Sequence, residues 1–365
     1  MSKLPAIFSS MTFPVISAPL FIISTPKTVI AQCINGVVGS MPALNARPLS
    51  QLDEWLAEIT EALVAHNKAH PDQPAAPFAI NQIVHKSNER LEEDMALCVK
   101  YKVPLIITSL GAREDINQAA HSYGGIVMHD IINNKFAHKA IEKGADGLIA
   151  VAAGAGGHAG VKNPFALIQE IRQWFDGPLA LSGAIANGNA IRAAVATGAD
   201  FAYIGSAFIA TVEARAIDEY KQCIVDSNSD DIVLSTLFTG VHGNYLAPSI
   251  RRAGMDPDNL TESDPSKMNF AGDKSKAWKD IWGCGQGIGV INKIQTTAEL
   301  IAQLKREFAD AKSGCWRPDQ HLRCAKKKPP GGRWPIKEYS LRCLHQPLRL
   351  HHGWRQTKDC TQKPP

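Results

Sequence analysis

The stretch Val151–Gly160, VAAGAGGHAG, sets one histidine, His158, among small residues. An imidazole moves a proton near neutral pH, and glycine lets a flat or anionic ligand approach the backbone. Together they point to an acid/base group beside a cofactor. Two further segments carry donors suited to a phosphate. Ser182–Gly188 (SGAIANG) offers the Ser182 hydroxyl and the Gly183 N–H, and Gly205-Ser206 offers the same pair. Taken singly, each glycine reads equally well as a tight turn. His129, His242 and Tyr245 are candidate substrate contacts. A hydrogen-bonded core position for His129 and ordinary packing for the other two are the plainer alternatives.

These residues need elements to place them. Short apolar runs alternate with longer amphipathic ones. The predicted strands are Val15–Pro19, Gly36–Met41, Phe78–Val84, Pro104–Leu110, Gly125–His129, Gly147–Ala152, Leu179–Gly183 and Phe201–Phe208. Most are continuously apolar, as strands buried on both faces are. Leu52–His66, Arg90–Tyr101, Ala137–Lys143, Pro164–Phe175 and Ala190–Thr197 read as helices, the last entered through Asn187-Gly-Asn. Eight strand–helix repeats predict an α/β fold, a (β/α)8 TIM barrel, with a doubly wound sheet as the alternative.

Active sites of such barrels lie at the C-terminal ends of the strands, with a phosphate site after strands seven and eight. The His158 loop follows strand six, and Gly183 and Gly205 close strands seven and eight. Beyond Phe208 the pattern changes. Val212–Val225 reads as a helix, Thr239–Ser249 as a loop and Asp256–Lys276 as a polar stretch. Trp282–Gly289 is glycine-rich, and a last helix is predicted at Thr297–Lys312. The expected domains are a barrel over 1–210 and 290–312, a smaller cap over 211–289 inserted after the eighth strand, and a tail over 313–365.

The bulk numbers fit a soluble globular chain: 45% apolar and 20% charged residues in 365. No apolar run reaches the ~18 residues of a membrane span. Pro14 and Pro19 break the apolar stretch near the N-terminus, which reads as a buried strand and not a signal peptide. The expected location is the cytoplasm, with no membrane or nucleic-acid partner and a monomer or homodimer. The net charge of +4 hides an asymmetry. From Ser313 onward there are 12 Lys/Arg against 3 Asp/Glu, and before it 27 against 32. The basic tail holds Cys315, Cys324, Cys343 and Cys360 without paired zinc-ligand spacing. It reads as a disordered extension, such as a read-through or frame-shifted end, more than as a nucleic-acid arm or a zinc site. Cys33, Cys98, Cys223 and Cys284 are scattered singly and read as reduced thiols. No metal site is expected.

Four segments resemble one family. Leu181–Thr211 is similar to the FMN phosphate-binding stretch of the nitronate monooxygenases, formerly 2-nitropropane dioxygenases. Gly144–Gly160 resembles their histidine motif, Pro14–Phe21 their N-terminal strand, and GCGQGIG (Gly283–Gly289) their late glycine-rich loop. The motif order matches over about Met11–Lys312. The resemblance implies a TIM barrel holding FMN non-covalently, an alkyl nitronate as substrate, and O2 as oxidant, giving a carbonyl compound and nitrite. It implies that Ala18, Pro19 and Leu20 line the flavin ring and that Asn81, with Gln82 beside it, meets the ring's polar edge. Gly154, Gly157, Ser182, Gly183, Ala184, Gly205 and Ser206 would surround the ribityl phosphate. His158 would be the catalytic histidine. Gln286 joins His129, His242 and Tyr245 as a candidate substrate contact. The sequence departs from the family at Ala184 (for glycine), at Ile204–Phe208 (IGSAF for MGTRF) and at Leu20 (for methionine). An FMN-dependent NAD(P)H reductase, acting on an enoyl thioester or a quinone, resembles the same chain and is the alternative function.

Overall fold

Eight parallel strands form a barrel in the computed structural model, which describes residues 4–263 and 280–313. They are β1 (Val15–Ser17), β2 (Gly39–Pro42), β3 (Phe78–Ile83), β4 (Leu105–Ser109), β5 (Ile126–Ile131), β6 (Gly147–Val151), β8 (Leu179–Ser182) and β9 (Phe201–Ile204). The spatial order is β1-β9-β8-β6-β5-β4-β3-β2, and a parallel bridge between Ile16 and Val38 joins the two ends of the list. Helices return the chain between strands. α1 (Pro26–Ile34), α2 (Leu49–Ala69), α3 (Leu91–Lys100), α4 (Glu114–His121), α5 (Asn134–Glu142), α6 (Pro164–Arg172) and α7 (Gly188–Ala196) precede the eighth strand. Asn187 caps α7 by accepting the Ala190 N–H at 2.8 Å.

Side chains alternate along a strand, so one phase points into the barrel and the other toward the helices. The inward phase here is Ile16, Val38, Ala79, Leu105, Ile107, Met128, Ile149, Ala180, Phe201 and Tyr203, one buried cluster. Phe8, on a short 3-10 turn at Ala6–Ser10, joins that cluster with its ring 4.8 Å from Phe201. The outward phase packs on the helices as a second, larger cluster containing Ile80, Ile106, Val127, Leu148, Leu181 and Ala202.

The region after the barrel differs from its sequence reading at three points. β9 ends at Ile204, and Ser206–Ile209 is a helical turn, α8, because Gly205 turns the chain. Within Val212–Val225 only the C-terminal part is helical, as α9 (Asp218–Asp226). Thr239–Ser249 is not a loop. It holds β11 (Gly243–Leu246) and the start of α10 (Ala247–Arg252). β11 pairs antiparallel with β10 (Ile232–Ser235) on one side and with β7 (Gly157–His158) on the other. The histidine loop of the barrel is therefore an edge of this three-stranded sheet. The last helix, α11 (Thr297–Ser313), packs back on α7. Residues 264–276 of the polar stretch and 314–365 of the basic tail lie outside the described residues. Among the described residues no helix is long and apolar enough to cross a membrane, no group of three metal-ligating side chains occurs, and the four cysteines are free.

Arg172 ties the N-terminal ends of β8 and β9 together. It donates to the carbonyls of Gly198 at 2.7 Å and Gly177 at 2.7 Å and to Asp200 at 2.6 Å, whose carboxylate also accepts the Leu179 N–H. This is the face of a barrel that supports stability, not catalysis. Arg172→Ala is expected to cost about 1.5–3 kcal/mol in urea denaturation, the range for hydrogen bonds to charged groups. Ligand binding at the opposite face should stay unchanged in the folded variant.

Candidate active site

Continuing the inward phase by one step reaches the C-terminal ends of the strands. The next inward positions are Ala18, Asn81, Ser109, Asp130, Val151, Ser182 and Gly205, and all seven line one cavity of 1030 Å³. Loops complete it: Pro19–Ile23 after β1, Gly154–Ala159 after β6, Gly183–Ala186 after β8, and Ser206. His242, Trp282 and Gly285 close it from the far side. Apolar side chains therefore form the barrel core, and polar ones occur where the same faces reach the opening.

The two glycine-rich loops meet backbone to backbone. A Cβ on Gly156 would lie 2.7 Å from the Gly285 nitrogen, and one on Gly285 would lie 2.7 Å from the Gly154 oxygen. The Gly154 carbonyl accepts the N–H of Ala184 at 3.1 Å and that of Gln286 at 2.9 Å. Ser206 Oγ accepts the Gly285 N–H at 2.9 Å. Buried Asn244, on β11, donates to the Ala155 carbonyl at 2.7 Å. His158 is held in register with Gly243, and the Ala159 N–H donates to the His242 carbonyl at 3.0 Å. The His158 backbone is thus fixed by strand pairing rather than carried on a free loop.

The surrounding protein pushes the His158 pKa down to about 4 by desolvation, so the ring is neutral at pH 7. Asp130 moves the other way. Burial raises its carboxyl to about 6, although the Ser109 hydroxyl and the Leu110 N–H both donate to it. Asn81 in turn donates to Ser109 Oγ at 2.8 Å, so Asn81, Ser109 and Asp130 form one polar chain across three strand ends. Cys284, in the late glycine loop, is buried and its thiol is pushed up to about 12, which excludes a thiolate nucleophile.

Of the residues singled out in the sequence, Ala18, Pro19, Leu20, Asn81, Gly154, Gly157, His158, Ser182, Gly183, Ala184, Gly205, Ser206 and His242 line the cavity. His129, Tyr245 and Gln286 do not. His129 is on the outward phase of β5, buried toward the helices, with its Nδ1 2.6 Å from Thr108 Oγ1 on neighbouring β4. Gln82 is also outward and donates to Cys98 on α3 at 3.3 Å. Tyr245 follows Asn244 on β11 and so faces away from the histidine loop, edge-on to Phe238 at 4.8 Å. Gln286 lends its backbone to the Gly154 junction, and the residue lines a separate cleft of 210 Å³ with Asn187 and Asn228. Asp130, Ser109 and Asn244 were missed. The period-two phase of β4 and β5 would have found the first two.

A family profile described as nitronate monooxygenase matches residues 6–307. The chain belongs to the nitronate monooxygenase family. Among curated relatives, the nitronate monooxygenase of Paraburkholderia phytofirmans is 24% identical over 340 residues, covering 81% of this chain and 92% of the relative. Among solved structures, a nitroalkane oxidase from Streptomyces ansochromogenes superposes with a TM-score of 0.70 at 20% identity, covering 85% of this chain and 99% of that one. FabK from Thermotoga maritima gives 0.67 at 20% identity, covering 89% and 99%. The barrel is therefore the fold of these solved structures, and the chain is an oxidoreductase of the nitronate monooxygenase family.

Two substitutions at the loop junction have opposite expected signs. Gly156→Ala forces a methyl group against backbone and should cost about 1–3 kcal/mol, the usual penalty of overpacking. Ala184 occupies φ +53, where a non-glycine residue is strained. Ala184→Gly relieves that strain at the expense of chain entropy and should lie between neutral and about 1 kcal/mol more stable. Thermal or urea melts of the two variants check both signs.

Proposed function

We propose that the cavity binds FMN and that the enzyme oxidises alkyl nitronates with O2 to a carbonyl compound and nitrite. The observation that carries this reading is the coincidence of a neutral, fixed imidazole with a cavity wall divided into apolar and small-residue zones. Ala18, Pro19 and Leu20 suit a flat apolar ring, and Asn81 suits its polar edge. Gly183–Ala184 and Gly205–Ser206, at the ends of β8 and β9, suit a phosphate arm approached by backbone and hydroxyl donors. The open space at Gly205, where a Cβ would meet only Leu20 and Ala18 at 3.4 and 3.5 Å, fits a ring lying along that wall. When bound, FMN supplies the electron acceptor and the reaction with O2.

The protein's own part is to hold the substrate and move protons. His158, neutral at physiological pH, accepts the α-proton of a nitroalkane, or donates a hydrogen bond to a nitronate oxygen when substrate arrives already ionised. A protonated imidazole, the other state open to a histidine, is disfavoured by the desolvation that lowers its pKa. His242 and the Gly154–Ala159 loop line the site around that imidazole.

His158→Ala should lower kcat/KM for a neutral nitroalkane by roughly 10²–10⁴-fold, the value of a positioned acid/base group. With a preformed nitronate the loss should be smaller. The wild-type kcat/KM should show no inflection from His158 between pH 8 and 5, because its proton binds only near pH 4. An inflection near pH 6 belongs to Asp130, and Asp130→Asn should remove it. Nitrite release and oxygen uptake across the pH range test these outcomes. A His158-dependent inflection near 6.5, or full activity in His158→Ala, contradicts them.

A further inference from the structure

The turn that follows β1 makes one wall of the cavity. Ala18, Pro19, Leu20 and Ile22 all line it. Ala18 is still tied to the barrel, donating its N–H to Ile204 O at 2.8 Å. Pro19 has no N–H and ends the ladder there. Beyond it the chain closes on itself. The Leu20 carbonyl accepts the N–H groups of Ile23 at 3.1 Å and Ser24 at 2.9 Å, and Ser24 Oγ accepts the Leu20 N–H at 3.0 Å. Inside the turn Ile22 holds φ +58. That left-handed conformation is strained for a β-branched residue and persists only where its surroundings over-determine it.

The constraint comes from one side chain. Asn45 ends the short 3-10 turn Ala43–Asn45 after β2, and it is buried. Its Oδ1 accepts the Ile22 N–H at 2.7 Å, and its Nδ2 donates to Leu20 O and Ser24 O at 2.9 Å each. The amide oxygen and both amide protons are thereby engaged by a single turn more than twenty residues away in sequence. Aspartate would keep the acceptor and lose both donors, and leucine would lose all three bonds. Asn45 itself does not line the cavity.

The clamped turn bounds the site on two sides. A Cβ at Gly205 would meet Leu20 and Ala18 at 3.4 and 3.5 Å, so these two side chains and the Gly205 backbone enclose the same space. Ile22 O accepts Arg215 Nε at 2.9 Å, and Ile23 O accepts the Arg215 N–H at 3.1 Å. Arg215, Ala216 and Ile217 line the cavity in turn. Losing the Asn45 amide would release both walls together.

We propose that Asn45 is a positioning residue for the cofactor. By clamping the turn it sets where Ala18, Pro19 and Leu20 stand against the flavin ring, while touching neither ring nor substrate. The inference rests on the reading of this cavity as an FMN site.

The test is fluorescence titration of the full chain, freed of flavin, with FMN, together with the visible circular dichroism of the bound flavin. Asn45→Ala is expected to weaken FMN binding by roughly tenfold or more, the equivalent of one or two net hydrogen bonds, and to alter the dichroism of the ring. Asn45→Asp, which keeps the shape and the acceptor, should do the same. Adding Ile22→Gly to Asn45→Ala should recover part of the lost affinity, because glycine holds a positive φ without a clamp. Arg172→Ala, a destabilising change at the opposite face of the barrel, should leave both readouts unchanged in the folded protein. Wild-type affinity and dichroism in Asn45→Ala, an equal loss in Arg172→Ala, or no recovery in the double variant would each overturn the proposal. Should Asn45→Ala fail to fold, Asn45→Asp decides on the same terms. A wild type that binds FMN beside an unaffected Asn45 variant removes this inference alone. A wild type that cannot be loaded with FMN removes the proposed cofactor as well.

Discussion

One carbonyl oxygen, that of Gly154, accepts two backbone N–H bonds and joins three segments distant in sequence. The loop after β6 meets the loop after β8 through Ala184 and the late glycine loop through Gln286. Both lone pairs of the oxygen are used. The junction requires the backbones at Gly156 and Gly285 to touch, which a side chain at either position would prevent. His158 lies two residues beyond that contact and is paired to β11. The position of the imidazole over the cavity thus follows from how closely glycine lets two loops approach. The glycines of VAAGAGGHAG suggest ligand approach when read as sequence. At Gly156 the partner is the protein's own chain.

The barrel and the place of its site were legible because the strand runs are continuous and the phase along each is strict. His158, the Ser182–Gly183 end and the Gly205–Ser206 end all line one cavity as the strand count implied. The errors have a common cause. His129 and Gln82 were judged by type and by nearness to a strand end, but they occupy the outward phase, where Thr108 and Cys98 satisfy them. Asp130 and Ser109, one residue away on the same strands, occupy the inward phase. Adjacent residues of β11 likewise face opposite sides: Asn244 bonds the histidine loop, and Tyr245, expected toward substrate, packs on Phe238. That strand was unreadable in TGVHGNYLAPS, since one of its two pairing partners is the histidine loop, far away in sequence.

The electrostatics of the site are set by desolvation rather than by close ion pairs. His158 is kept neutral, Asp130 is kept near the edge of ionisation, and Cys284 is kept as a thiol. With its carboxyl near 6, Asp130 is largely ionised at pH 7 while His158 is neutral, so the site offers an uncharged imidazole base and a carboxylate at neutral pH. Fixed positive charge stands at Arg47, Arg215 and Arg252, which line the same cavity and are held by carbonyls and aromatic faces.

The central claim is that this cavity carries flavin chemistry on a nitronate. The most direct measurement is anaerobic rapid mixing of the FMN-loaded protein with an alkyl nitronate and, separately, with NADH, while flavin absorbance is followed. The account predicts flavin reduction by the nitronate at a rate that supports turnover, slowed in His158→Ala for the parent nitroalkane. Reduction by NADH with none by any nitronate, or a protein that cannot be loaded with FMN, would contradict it.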